Sequence, residues 1–183
     1  MLYFAYGSNL LTARLRARCP SARAKDTGTL PGHHVAFAKR GRTDGSGKAT
    51  VLPGGAGAWG VLYALSPEDW AVLDTVEGVG LGYRRHDVAV ETGDGAVAAQ
   101  TYQATAPEPG LRPFDWYLAL IIAGCREYGA RDDAARYAAL PYAVDPDPAR
   151  PGYREAVTAL QAGGHSHWRA LLDQDPAASK SSN

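Results

Sequence analysis

Only two cysteines, Cys19 and Cys125, occur in the 183 residues, and they form neither a disulfide framework nor a zinc-ligand spacing. Cys125 lies in an apolar helical stretch and reads as a buried, inert thiol. No apolar run approaches a membrane span, and the first residues lack the basic start and long apolar stretch of a signal peptide. The expectation is a soluble, cytoplasmic protein. An excess of one charge is also missing, since 19 Lys and Arg balance 19 Asp and Glu. The distribution is uneven: residues 1–50 hold nine Lys or Arg against Asp26 and Asp44. Arg14, Arg16, Arg18 and Arg23 read as solvated cations on a helix and its exit. No aromatic-interleaved basic motif accompanies them, so a nucleic-acid partner is not expected.

Several catalytic signatures are missing too. Ser8 lacks the sequence of a nucleophile elbow. Gly54-Gly55-Ala56-Gly57 has no Lys-Ser/Thr and precedes a strand, so it is not a phosphate loop. His165-Ser166-His167 has no further ligand at metal spacing, and no metal or cofactor is expected. There is no internal repeat.

What is present suits a single domain over residues 1–175, with a flexible tail at 176–183; 45% of the side chains are hydrophobic and 21% charged. Strands are predicted over residues 2–6, 32–39, 59–65, 85–91 and 96–104, the last two joined as a hairpin by Gly93-Asp94-Gly95. Residues 40–47 and 53–57 read as glycine-rich turns. Helices are predicted over 113–128, 132–140 and 153–161, with a proline-rich crossing segment at 141–151.

Two segments carry chemistry. Tyr3-Phe4-Ala5-Tyr6-Gly7-Ser8-Asn9-Leu10 is a short apolar strand running into small residues and a helix, with Ser8 or Asn9 available as its N-cap. Such a turn directs several backbone N–H groups at one point and suits an oxyanion or carboxylate. The second segment is a helix that starts at Ser66-Pro67-Glu68-Asp69, buries Trp70, Leu73 and Val76, and closes at Gly78. Glu77 then falls among unpaired carbonyl oxygens at the helix end, where its pKa should rise and the carboxyl can both accept and return a proton.

Together with Gly82-Tyr83-Arg84, the motifs Tyr6-Gly7-Ser8-Asn9-Leu10 and Leu73-Asp74-Thr75-Val76-Glu77-Gly78 resemble the γ-glutamylcyclotransferase family, including its AIG2-like bacterial members. Thr101-Tyr102 is similar to the family's last core strand. Pro113-Phe114-Asp115-Trp116-Tyr117, leading to Ile122-Ala123-Gly124-Cys125-Arg126-Glu127-Tyr128-Gly129, is similar to its proline-opened helix. The resemblance covers roughly the first 140 residues.

It implies an α+β fold, a small mixed β-barrel with flanking helices and a cavity at one mouth. It also implies an enzyme that closes a γ-glutamyl group to 5-oxoproline by intramolecular aminolysis and releases an amino acid or other amine. By the same resemblance Glu77 is the acid/base. Tyr6, Gly7, Ser8, Asn9 and Leu10 meet the substrate, as do Tyr83, Tyr102 and Tyr117, whose rings wall the glutamyl chain and whose hydroxyls orient it. Tyr83 lies one residue nearer the acid than in the animal enzymes. The implied partner is a small γ-glutamyl substrate, not a nucleic acid or membrane, and a homodimer is left open. Two alternatives remain at this level: removal of a γ-glutamyl protecting group from a secondary-metabolite intermediate, and a non-catalytic barrel that binds a small molecule.

Overall fold

A computed structural model of the chain describes residues 1–173, so the tail expected at 176–183 lies outside the described residues. The opening apolar run forms β1 (Leu2–Ala5), followed by a 3-10 turn at Ser8–Leu10 and helix α1 (Thr12–Arg16). Next come β2 (Arg23–Leu30), β3 (His33–Arg40), β4 (Gly47–Pro53), β5 (Ala58–Ala64) and α2 (Pro67–Glu77). The hairpin β6 (Tyr83–Thr92) and β7 (Gly95–Ala104) precedes α3 (Asp115–Glu127), α4 (Arg131–Ala138), α5 (Pro151–Ala162) and a 3-10 turn at Trp168–Leu171. The strands close into a barrel in the order β1-β5-β2-β6-β7. Its pairs are antiparallel except where β1 meets β7, with Tyr3 beside Gln100 in parallel register. The fold is thus the expected α+β mixed barrel with helices outside it.

Two strands were not foreseen. β2 is polar and mostly exposed, with no alternation to mark it. It is a strand because β5 and β6 supply its ladder, and a Cβ on Gly28 would stand 2.5 Å from the carbonyl oxygen of Glu91. β4 pairs with β3 as a two-stranded ribbon outside the barrel ladder. The ribbon is tied to the end of β7, where the Ala104 amide donates to Thr50 Oγ1 (3.0 Å) and Gln103 Nε2 to the Val51 carbonyl (3.2 Å).

Helix α2 starts and stops as its sequence dictates. Ser66 accepts from the Asp69 amide (3.2 Å), Pro67 takes the first turn, and Gly78 closes the helix in the left-handed region at φ 64°. Trp70 and Leu73 are buried, but Val76 is 45% exposed, because only part of this short helix rests on the barrel. The expected N-caps also differ: neither Ser8 nor Asn9 caps α1, which starts from Leu11 without a side-chain cap. Helix α3 is buried along Asp115 to Cys125. It lies so close to the opening turn that a Cβ on Gly124 would stand 2.4 Å from Leu10 Cβ and 2.6 Å from the Leu11 amide nitrogen. This contact fixes the turn over the barrel mouth. No described helix is long and apolar enough to cross a membrane.

Candidate active site

The opening turn, the end of α2, the β3–β4 ribbon and α3 enclose a cavity of about 450 Å³. Tyr6, Gly7, Ser8 and Asn9 form its floor from the turn, and Glu77 enters from the end of α2. Tyr83, Tyr102 and Tyr117 complete the set of expected residues in the wall. Leu10 does not join them: it is fully buried, faces Gly124 of α3 and belongs to the core.

At Gly7 a side chain would press on Ala49 Cβ (3.2 Å) and the Tyr117 hydroxyl (3.5 Å). The Leu10 amide closes the turn on the Gly7 carbonyl (2.9 Å). Among the described residues, the Ser8 and Asn9 amides have no acceptor and remain as donors at the cavity floor.

The carboxyl of Glu77, 17% exposed, sits in a net of donors. Asn9 Nδ2 donates to its Oε1 (3.3 Å) and to the Tyr3 hydroxyl (3.1 Å), while Asn9 Oδ1 accepts from Arg18 (3.3 Å). Arg18 stands 3.9 Å from the same Oε1. Burial raises the carboxyl above its ordinary pKa, and the attraction of Arg18, Asn9, Lys39 and Arg14 only partly opposes this. A carboxyl raised above its ordinary range binds a proton more readily than a free carboxylate and can give it back.

The hydroxyls of the four cavity tyrosines are bonded to the frame. The Tyr83 hydroxyl donates to the Ala49 carbonyl (2.8 Å), and the Tyr117 hydroxyl accepts from the Ala49 amide (3.0 Å). Ala49 lies in the irregular part of the β3–β4 ladder, where the register shifts between Ala36 and Lys39, so the two rings complete its backbone bonding. The Tyr102 hydroxyl donates to Asp74 Oδ1 (2.8 Å), and the Tyr6 hydroxyl donates to the Tyr102 carbonyl. Burial pushes Asp74 up, yet the bonds from Arg85 and Tyr102 outweigh it and hold that acid below its usual range. Of these four, and among the described residues, Tyr117 alone uses its oxygen as an acceptor and so keeps its own proton to donate.

The cavity also gathers cations that sequence reasoning had assigned to solvent. Arg16 and Arg23 are exposed, but the Arg14 side chain is 7% exposed and Arg18 is 19% exposed, and both line the cavity. Helix α1 is too short to display its cations freely and lies against α5, where Arg14 pairs with Glu155 (3.2 Å). The i, i+4 spacing of Arg14 and Arg18 was the available signal. Burial holds Arg14 down to about 10 and pushes the Cys125 thiol up to about 12, which suits the inert reading of that cysteine.

A closed mixed barrel with a largely buried carboxyl at one mouth, faced by main-chain donors, is an arrangement suited to an enzyme. Comparison with known proteins agrees. Residues 57–137 match the AIG2-like family. Over 135 residues the chain is 36% identical to the γ-glutamylcyclotransferase of Bos taurus and 35% identical to that of Homo sapiens, covering 70% of this chain and 71% of each relative. A solved γ-glutamyl cyclotransferase superposes with a TM-score of 0.77 at 27% identity, over 86% of this chain and 98% of that one. The chain belongs to the γ-glutamylcyclotransferase family of enzymes.

Proposed function

We propose that the protein cyclises the γ-glutamyl group of a small substrate to 5-oxoproline and releases the attached amine. The observation that carries this reading is the largely buried Glu77 carboxyl, raised in pKa and 3.3 Å from Asn9 of the opening turn. The substrate's α-ammonium must first lose a proton, because a free α-amino group has a pKa of about 8. Glu77 takes that proton. The freed nitrogen then attacks the side-chain carbonyl carbon of its own glutamyl group, a five-membered ring closes and the ring nitrogen gives up a second proton; the old C–N bond breaks as Glu77 hands a proton to the leaving nitrogen, and the amine departs as an ammonium that has gained both protons. Both reacting groups belong to one molecule, so the main task of the cavity is to hold the chain folded on itself. Tyr6, Tyr83, Tyr102 and Tyr117 wall that chain, and the Ser8 and Asn9 amides face the glutamyl carboxylate or the developing oxyanion. The unpaired, buried thiols of Cys19 and Cys125 support a reducing, cytoplasmic setting.

The test follows 5-oxoproline from γ-glutamyl dipeptides, γ-glutamyl-lysine, glutathione and γ-glutamyl amines, with Glu77→Gln beside the wild type. At least one compound should turn over, and the variant should lose about a hundredfold or more. No product across the panel would favour a barrel that only binds.

A further inference from the structure

The cavity holds more positive than negative charge, and the excess lies at one edge. Arg14 pairs with Glu155 (3.2 Å), Lys48 with Asp44 (2.7 Å), and Arg18 faces Glu77 (3.9 Å). Lys39 and Arg42 line the same cavity, and among the described residues neither side chain has an ion-pair partner or a hydrogen-bond acceptor. They are neighbours in space as well as in chain. Arg42 reaches to 3.8 Å from where a Cβ on Gly78 would lie, and Lys39 Nζ to 3.4 Å from the same point on Gly82. Both therefore arch over the loop that directly follows Glu77. Lys39 also stands 5.4 Å from the centroid of the Tyr83 ring, a wall of the cavity.

Two unmatched cations side by side repel one another, and burial with the neighbouring Arg42 lowers the pKa of Lys39, so an anion placed there would relieve both costs. Neither cation gives or takes a proton in the step at Glu77, which concerns the α-amine and the scissile amide; the charge of Lys39 only favours the ionised carboxylate. Resting on the proposed cyclotransferase reading, we infer that Lys39 and Arg42 receive the leaving group and that this group is an acidic amine carrying two carboxylates, an acidic amino acid or a peptide that begins with one. Cyclisation would then release 5-oxoproline and that acid, with its nitrogen reprotonated by Glu77.

The experiment compares kcat/KM for γ-glutamylglutamate, γ-glutamylalanine, γ-glutamylethylamide and γ-glutamylputrescine, whose leaving groups fall stepwise from doubly anionic to cationic. Each lost carboxylate should cost about tenfold, the low end for a hydrogen bond to a charged group, and high salt should narrow the spread. In a Lys39→Gln/Arg42→Gln protein the preference for γ-glutamylglutamate over the ethylamide should collapse, mainly through KM, because such a contact is as strong in the ground state as in the transition state. Arg42→Lys should keep the preference. Binding of the four compounds to Glu77→Gln protein gives the ranking independently of catalysis. Equal affinities there, or a preference that survives the double substitution, would overturn the inference whatever the turnover. Charge-ranked binding without wild-type turnover would instead sink the cyclotransferase reading and leave the anion-reading edge in place.

Discussion

Asn9 of the opening turn and Glu77 at the end of α2 are 68 residues apart in sequence, yet Asn9 Nδ2 lies 3.3 Å from Glu77 Oε1. This bond joins the two segments that carry the chemistry, and it leaves the other carboxylate oxygen without a partner among the described residues. The predictions below follow from how the frame holds that carboxyl.

Glu77→Gln should make the protein more stable at neutral pH. Burial raises the folded pKa of Glu77 above its unfolded value, so the folded state holds the proton more tightly. Stability is then lost as pH rises from the unfolded pKa through the folded one, and the cost is fully present above it. A neutral glutamine does not bear this cost. Melting curves of both proteins should separate at neutral pH and converge in acid; a variant equally or less stable at neutral pH would contradict the sign.

Arg18→Met should move the acid limb of the activity profile to higher pH. The guanidinium favours the ionised carboxylate, so removing it leaves burial less opposed. The check is kcat/KM against pH for both proteins, and a limb displaced toward acid would show that Arg18 does not act on the carboxyl.

Removing either hydroxyl at Ala49 should destabilise the fold. Tyr83→Phe leaves the buried Ala49 carbonyl short of a donor, and Tyr117→Phe leaves the Ala49 amide without its acceptor; each should cost about 1–3 kcal/mol. Because both act on one residue's backbone, the double variant should depart from additivity. Denaturant unfolding of the single and double variants measures this.

Gly124→Ala should fail for a steric reason. The new methyl would lie 2.4 Å from Leu10 Cβ and 2.6 Å from the Leu11 nitrogen, so α3 must retreat from the opening turn. Overpacking of this kind costs about 1–3 kcal/mol. Activity should fall with stability, because the same turn carries Asn9.

Parts of this arrangement were legible in the sequence because local chemistry specifies them. Ser66, Pro67 and Gly78 mark both ends of α2 and so place Glu77, and Gly93-Asp94 marks the β6–β7 turn. The strands β2 and β4 left no such mark. Their ladders come from partners elsewhere in the chain, and the polar face of β2 lies outside the barrel. Arg14 and Arg18 were read as solvated because a helix pattern cannot reveal what packs over it. Leu10 shows the opposite limit: its motif neighbours face the cavity, but α3 claims its side chain through Gly124.

The central claim is that one buried carboxyl relays the proton, and its most direct test sets two titrations side by side. One is the NMR titration of the Glu77 side-chain carboxyl in the free protein, and the other is the acid limb of kcat/KM for 5-oxoproline release. The account predicts a single shared pKa above the ordinary carboxylate range, with the limb absent from the residual activity of Glu77→Gln. A Glu77 that titrates at or below that range, or an acid limb unchanged in the variant, would contradict it.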